Sequence, residues 1–156
     1  MIPMKCLMSL SASKSYFEHG GLLDQVRMID LPSNIDSRGM LTAIESQKDI
    51  PFEIKRIFYM HDVREDRGGH AHIDTDQIII PVSGSFSLSL FDGSFHQSYK
   101  LDDAKKGLYV PHMIFIDLSC FSKGSVCLVL ASDHYDMARS LRNREDYVQY
   151  LEEHSD

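Results

Sequence analysis

The stretch that most constrains the fold is FSLSLFDGSFHQSYKL, residues 86–101, where apolar and polar residues alternate on both sides of a turn. Apolar residues alternate with serines in FSLSL, the dipeptide Asp92-Gly93 follows, and a second alternation begins at Phe95. A period of two places successive side chains on opposite faces of a strand, and Asp-Gly favours a tight hairpin turn. The stretch therefore predicts a β-hairpin with one buried face.

Short runs rich in β-branched and aromatic residues, separated by turn residues, recur along most of the chain. They are VRMIDL, LTAIE, IKRIFYMHDV, QIIIPVSG, GLYVP, MIFIDL and SVCLVLAS. Many short strands, with almost no helical periodicity before residue 134, are typical of an all-β sandwich or barrel of the jelly-roll type. We therefore predict an all-β jelly roll.

The two ends of the chain depart from this pattern. Residues 1–25 are rich in Ser, Met and Gly without clean periodicity, which predicts a loose extension before a domain at residues 26–156. Near the other end, apolar residues fall close to helical spacing among charged ones, which predicts one amphipathic C-terminal helix. These apolar residues are Met137, Leu141, Val148 and Leu151.

Composition excludes several classes of function. The formal net charge is -7, and no run of Lys or Arg is dense enough for a nucleic acid or an anionic membrane surface. We also expect no signal peptide and no membrane anchor, because the apolar runs are short. The three cysteines, Cys6, Cys120 and Cys127, have spacings that match neither a zinc motif nor a disulfide framework, so we expect a cytoplasmic location.

The segment RGGHAHIDTDQ places two histidines one residue apart beside a predicted strand. In an extended segment His70 and His72 share one face, so both imidazoles point the same way. The spacing to Gln77 resembles the first metal motif of the cupin family, but a neutral amide replaces the carboxylate that a divalent cation favours. Ile116 stands where the second motif supplies a histidine, and the offset of His112 predicts the wrong strand face. We therefore expect no metal.

A wider resemblance is carried by DSRGMLTAIE, PFEIKRIFYMHDV, RGGHAH, GLYVP and FSKGSVCLVLASDHYD, in this order. Over about residues 26 to 136 the chain resembles the sugar-nucleotide 3,4-ketoisomerases, small cupins that act on dTDP-linked 4-keto-6-deoxyglucose. The resemblance implies a homodimeric cupin-type jelly-roll β-barrel that needs no metal or other cofactor. It also implies acid and base roles for His70 and His72 and a nucleotide-sugar cleft. The matched cleft positions are Arg38, Arg56, Arg67, Tyr59 and Gln77.

The chemistry of two histidines agrees with this resemblance. Moving a ketone from C4 to C3 requires loss of the C3 proton, an enediol, and return of a proton to C4, for which imidazoles are suited at neutral pH. We expect His72 to be the more critical group, oriented by the Gln77 amide, with Tyr59 as the next candidate base. The tail MARSLRNREDY and Phe115 depart from the family pattern, and the galacto or gluco configuration of the product stays open.

Two other functions are kept as alternatives. One is a metal-dependent cupin enzyme, and the other is a non-catalytic module that binds a nucleotide sugar. The first requires a bound divalent cation and the second requires no turnover. For the main hypothesis we expect a role in the synthesis of deoxysugars for surface polysaccharide, including lipopolysaccharide O-antigen.

Overall fold

The structure is a computed structural model that describes residues 21–155. These residues form twelve strands and one α-helix. The strands are β1 (Arg27–Asp30), β2 (Ser33–Asp36), β3 (Gly39–Thr42), β4 (Arg56–Met60), β5 (Arg67–His72), β6 (Gln77–Ser83), β7 (Phe86–Phe91), β8 (His96–Leu101), β9 (Lys106–Val110), β10 (Phe115–Ser119), β11 (Val126–Ala131) and β12 (Ser140–Leu141), and the helix is α1 (Arg144–Glu153).

The strands form two five-stranded antiparallel sheets and one separate hairpin. The first, here called the β6 sheet, has the order β1-β9-β6-β11-β4, and the second, the β5 sheet, has the order β12-β5-β10-β7-β8. The predicted hairpin at residues 86–101 is confirmed, with Phe86 opposite Leu101. The arrangement is a jelly roll, which confirms the predicted fold class.

The main core lies between the two sheets, on the faces that we call inner. Leu88, Leu90 and Leu118 come from the β5 sheet, and Ile79 and Val129 come from the β6 sheet; all five are at most 4% exposed. Alternation along each strand then turns the intervening residues outward. The same register therefore decides which polar side chains reach the interior.

Each outer face is covered by its own apolar cluster. Ile50 and Phe52, from the segment before β4, pack with Ile78 and Ile80 on the β6 sheet. On the β5 sheet, Tyr147 of α1 is fully buried in a cluster that also holds Ala71 and Phe115. The Tyr147 hydroxyl donates hydrogen bonds to the carbonyl oxygens of Phe91 at 3.1 Å and Met113 at 2.8 Å.

The C-terminal helix exists but begins later than predicted. Met137 lies in a short 3₁₀ turn and Leu141 lies in β12, so only the later part of the apolar pattern is helical. Leu141 pairs with Ala71 of β5, and its burial against that strand replaces burial on a helix. The helix begins after Asn143, whose side-chain oxygen accepts a hydrogen bond from the Asp146 backbone N–H.

Residues 1–20, most of the predicted N-terminal extension, lie outside the described residues. Residues Leu22–Gln25 form a short 3₁₀ turn, and Leu23 is 4% exposed within the main core. The boundary at residue 26 stays a prediction. No helix among residues 21–155 is long and apolar enough to cross a membrane.

A β-bulge interrupts β5 just before the histidines. Ile116 of β10 pairs with His70, but the next residue, Asp117, pairs with Gly68, so Gly69 is an extra residue. Both glycines have positive φ, at 87° for Gly68 and 73° for Gly69. A Cβ atom on Gly68 would lie 2.6 Å from the Ile116 carbonyl oxygen, so only glycine fits this approach.

The close backbone approach at the bulge leads to a prediction about the stability of a Gly68 variant. Gly68→Ala should destabilise the fold by more than the ~1–2 kcal/mol expected for alanine at positive φ, because the new Cβ also meets backbone. Gly124→Ala is the matched control, since Gly124 also has positive φ, at 74°, but has nothing within 4 Å of the added atom. Urea unfolding of both variants measures the difference, and equal losses would contradict the account of the bulge.

Candidate active site

The two histidines of β5 lie on its inner face, half-buried and side by side. The ring centroids of His70 and His72 are 4.8 Å apart with planes at 75°, an edge-to-face arrangement. His70 is paired with Ile116, an inner-face residue of β10, and Ala71 between the histidines is turned outward under α1. The predicted shared face is therefore present.

A cavity between the sheets, which we call the inner cavity, adjoins His70. Its volume is about 190 Å³. Arg67 and His70 would point to opposite faces of a regular strand because they are three residues apart, but the bulge at Gly69 puts both beside this cavity. The lining residues are Phe58, Tyr59, Met60, Arg67, Gly68, His70, Gln77, Ile79, Ile116, Leu118 and Val129.

A second cavity, which we call the rim cavity, adjoins His72. Its volume is about 340 Å³, and its lining is polar and charged. The lining residues are Arg56, His72, Asp74, Thr75, Asp133, His134, Tyr135, Asp136 and Arg139. The histidine pair therefore stands where the two cavities approach each other, one ring lining each.

Burial holds both imidazoles in the neutral form at neutral pH. Burial lowers the pKa of His72 from 6.5 to about 4, and the charges of His70, Arg56 and Arg142 act in the same direction. Burial also lowers the pKa of His70, with the Gly68 backbone and Asp117 acting against it and Arg142 acting with it. A neutral imidazole has one nitrogen free to accept a proton, as a general base requires.

The partner of His72 is a serine and not the predicted glutamine. The Ser140 hydroxyl lies 3.3 Å from Nδ1 of His72, while Nε2 is buried without a protein partner. Gln77 is buried beside the inner cavity, which His70 lines, so the expectation that its amide orients His72 is wrong. A hydroxyl at Nδ1 fixes the ring and leaves Nε2 as the nitrogen available to a ligand.

Arg56 is held beside the rim cavity by two aromatic rings. Its guanidinium carbon lies 5.2 Å from the centre of the Phe58 ring and 5.3 Å from that of Tyr135. Its Nε is buried without a protein partner, as is Nε2 of His72 in the same cavity. Stacking fixes the planar cation and leaves its donors for a ligand.

Two of the predicted site residues, Arg38 and Tyr59, are mostly exposed. Arg38 lies at the turn of the β2–β3 hairpin, where its side chain is 88% exposed and paired with Asp36 at 2.5 Å, and it lines neither cavity. Tyr59 borders the inner cavity, but it is 62% exposed and alternates with Phe58, which packs on the main core. The roles of both residues stay predictions.

The surroundings of the histidines offer few metal ligands. Within residues 21–155 there is no group of three or more His, Cys, Asp or Glu side chains that could hold a metal ion. Ile116 occupies the inner face directly opposite His70, and His112 is engaged with Asp76, at 2.7 Å from Nδ1 to the carboxylate. The donor set therefore does not fit a cupin metal centre.

Sequence reasoning missed the residues that reach the site from the segment after β11. These residues are Tyr135, Arg139 and Ser140. Arg139 and Ser140 lie within the apolar pattern from Met137 to Leu151 that predicts a helix, and a helix would not align Ser140 with His72. A local signal does indicate that the helix begins after this segment: Asn143 is a strong N-cap residue and precedes the acidic first turn Glu145–Asp146.

The burial of His72 predicts a pH dependence of stability. Its pKa is about 4 in the folded protein and about 6.5 in the unfolded chain, so the unfolded chain binds more protons between these values. Lowering the pH through this window should therefore remove stability, on the order of 3 kcal/mol from this residue. Urea unfolding from about pH 7 to pH 4 measures the loss.

The matched variants for this measurement are His72→Gln and His96→Gln. The first removes the titrating group and should lose less stability on acidification than the parent protein, whereas the second removes an exposed histidine of β8. If His72→Gln loses as much stability as the parent protein over this window, His72 is not held neutral by the fold.

Comparison with known proteins places this site in a family. Residues 24–152 match the family model described as "FdtA: WxcM-like, C-terminal". The chain is 39% identical over 127 residues, 80% of its length and 91% of the relative's, to the TDP-4-oxo-6-deoxy-alpha-D-glucose-3,4-oxoisomerase of Aneurinibacillus thermoaerophilus.

Solved structures give the same grouping. A 3,4-ketoisomerase from Helicobacter canadensis has a TM-score of 0.80 and 34% identity, covering 82% of this chain and 98% of that one. QdtA, a sugar 3,4-ketoisomerase from Thermoanaerobacterium thermosaccharolyticum solved with TDP, has a TM-score of 0.79 and 34% identity, covering 82% and 95%. A QdtA variant with one histidine replaced by asparagine was solved with TDP-4-keto-6-deoxyglucose. The chain therefore belongs to the FdtA, WxcM-like family of sugar-nucleotide 3,4-ketoisomerases.

Proposed function

We propose that the protein is an isomerase that converts a dTDP-4-keto-6-deoxyhexose to its 3-keto isomer in deoxysugar biosynthesis. The observation that carries the proposal is the pair of neutral imidazoles on one strand face, 4.8 Å apart, each lining a cavity. The relatives named above act on sugars of this kind, and one was solved with the keto sugar bound. Synthesis of surface polysaccharide is the proposed use of the product.

The proposed reaction is a series of proton transfers, two from the sugar and two to it, that needs no oxidant or reductant. One imidazole takes the C3 proton, which leaves an enediolate with negative charge on O4, and protonation of O4 gives the enediol. O3 then loses its proton while C4 gains one. The ketone has moved from C4 to C3, and every proton is accounted for. Two neutral imidazoles suit this sequence because each can accept one of the protons that leave C3 and O3, and the imidazolium that results can then donate a proton to O4 or C4.

Arg56 and Arg67 are the proposed contacts of the diphosphate. A planar guanidinium makes paired, charge-assisted hydrogen bonds to phosphate oxygens, and each of these arginines borders one of the two cavities. The negative charge of the diphosphate would also offset the positive charges that lower the histidine pKa values. Substrate binding would therefore make the imidazoles stronger bases.

The proposed location is the cytoplasm. A dTDP-linked sugar carries charge that an apolar bilayer excludes, so the enzyme must share a compartment with the reaction that makes the nucleotide sugar. Cell fractionation with an antibody to the chain would test this location.

The direct test of function is incubation with dTDP-4-keto-6-deoxyglucose in deuterated water, followed by NMR of the sugar ring protons. We expect deuterium at C3 of the substrate and C4 of the product, and the coupling of the C4 proton in ordinary water to give its galacto or gluco configuration. Activity should survive a chelator. Loss on chelation with recovery by one divalent ion would favour the metal-dependent alternative, and binding without any exchange would favour the non-catalytic module.

The division of labour between the histidines has its own test. His72→Asn and His70→Asn should each lower kcat by about 100-fold or more while changing the affinity for dTDP little, because the imidazoles act on the sugar. If their roles are separate, one variant should still exchange the C3 proton of the substrate and the other should not. Equal C3 exchange in both variants would show that neither is the abstracting base and would point to Tyr59.

We also propose that the protein is a homodimer. The β2–β3 hairpin lies outside both sheets and exposes Ile35 by 76% and Met40 by 50%, which face each other across the hairpin. Contiguous exposed apolar surface of this kind favours a partner, and a second copy of the chain is the proposed one. Such a partner would also bring the exposed Arg38 beside another chain's surface.

The test of the dimer is the double variant Ile35→Asp with Met40→Asp. Placing two carboxylates on the hairpin should weaken self-association by about 100-fold or more, since each apolar side chain contributes roughly 1.5–3 kcal/mol when buried. Sedimentation velocity measures the effect. Ser98→Asp, on exposed β8 of the β5 sheet, is the control and should leave association unchanged. A monomeric parent protein would contradict the proposal.

A further inference from the structure

The segment that follows the short strand β12 brings an arginine to the edge of the rim cavity. Ser140 pairs with His72 and Leu141 pairs with Ala71, so the chain runs antiparallel to β5. Leu141 is turned outward with Ala71, into the cluster under α1. Arg142 directly follows β12 and is exposed, and its Nη2 lies 3.4 Å from the hydroxyl oxygen of Tyr135, which lines the rim cavity together with His72.

Arg142 differs from the arginines on either side of it in having no acidic partner. Arg139 is paired with Asp74 at 2.5 Å and Arg144 with Asp117 at 3.2 Å. Arg142 donates one hydrogen bond, to the Tyr135 hydroxyl at 3.4 Å, and no Asp or Glu of the described residues forms an ion pair with it. Its charge is therefore available to a ligand at the histidine pair.

Several charged groups act on the histidine pair, and Arg142 is one of them. The Arg142 charge lowers the pKa of both histidines, whereas Arg56 of β4 acts on His72, and Asp117 of β10 acts in the opposite direction on His70. His70 also lowers the pKa of His72. Among the described arginines, Arg142 alone lowers the pKa of both rings, so its charge acts on both histidines.

We propose that Arg142 binds the sugar at its reacting carbons and stabilises the negative charge of the enediolate. This proposal rests on the proposed function. When an imidazole removes the C3 proton, the electron pair moves to O4, and the guanidinium donates hydrogen bonds to that oxygen and to the neighbouring O3. A planar fork of donors matches two adjacent oxygens, and a charge placed before the reaction needs no reorganisation.

The first experiment reads the charge without requiring turnover. Proton NMR of the imidazoles, assigned with His70→Asn and His72→Asn, follows the pKa of each ring in the parent protein and in Arg142→Gln. Since the guanidinium lowers both values, its removal should raise both, and Arg142→Lys should keep them near the parent values. Arg27→Gln is the control, because Arg27 of β1 lies over the Tyr109 ring at 4.6 Å and lines neither cavity. Unchanged titrations in Arg142→Gln would overturn the proposal.

The second experiment separates the sugar from the diphosphate. Arg142→Gln should lower kcat by about 100- to 1000-fold, the cost of losing a transition-state donor, while its affinity for dTDP, which has no sugar, stays within about 2-fold. Arg142→Lys should recover part of kcat, and Arg27→Gln should keep both values. If dTDP affinity falls in step with kcat, Arg142 is a diphosphate contact and the proposal is overturned.

A failure of the proposed function can be distinguished from a failure of the role proposed for Arg142. A parent protein that binds dTDP but turns over no keto sugar would overturn both the function and the enediolate role. The histidine titrations would then still report whether the Arg142 charge acts on the pair. With an active parent protein, an Arg142→Gln variant of normal kcat overturns the further inference alone.

Discussion

The site depends on the close backbone approach between β5 and β10 at Gly68. With Gly69 as the extra residue, β5 re-enters the pairing so that Arg67 and His70 both reach the inner cavity. A side chain at Gly68 would meet the Ile116 carbonyl at 2.6 Å, so the strands pair this closely only because the residue is glycine. Without the bulge, either the arginine or the histidines would lie on the wrong face of the sheet.

The electrostatics of the site follow from two opposing demands. Burial keeps the imidazoles neutral and able to accept protons, but it also makes them weak bases, with the pKa of His72 at about 4. The charges of Arg56 and Arg142 contribute to this lowered pKa, yet an anionic substrate requires positive charge in the site. A substrate diphosphate and a developing enediolate would each offset that charge, so basicity would rise when the site is filled. An empty site with strongly basic histidines would instead hold them protonated.

The sequence predicts the sheets and the histidine pair well, because both depend on a local period of two. Alternation in FSLSL predicts the hairpin, and the spacing of His70 and His72 predicts their common face, and both are confirmed. The helix start was predicted too early, because Leu141 fits helical spacing equally well until its pairing with Ala71 is known. Ser140 and Arg142 were missed for the same reason, because their positions depend on the pairing of β12 with β5, a strand about 70 residues earlier in the chain.

Packing on the outer face of the β5 sheet positions its shortest strand, β12. A two-residue strand has too few backbone hydrogen bonds to hold its own register, but Leu141 packs into the cluster formed by Ala71, Phe115 and Tyr147. The Tyr147 hydroxyl is hydrogen-bonded to the carbonyl oxygens of Phe91 in β7 and of Met113 in the turn before β10, so α1 is fixed to the sheet it covers. Packing on the outer face thus sets the register of β12, and that register places Ser140 at the His72 ring. The C-terminal helix contributes to the chemistry through this packing, although it supplies no residue to either cavity.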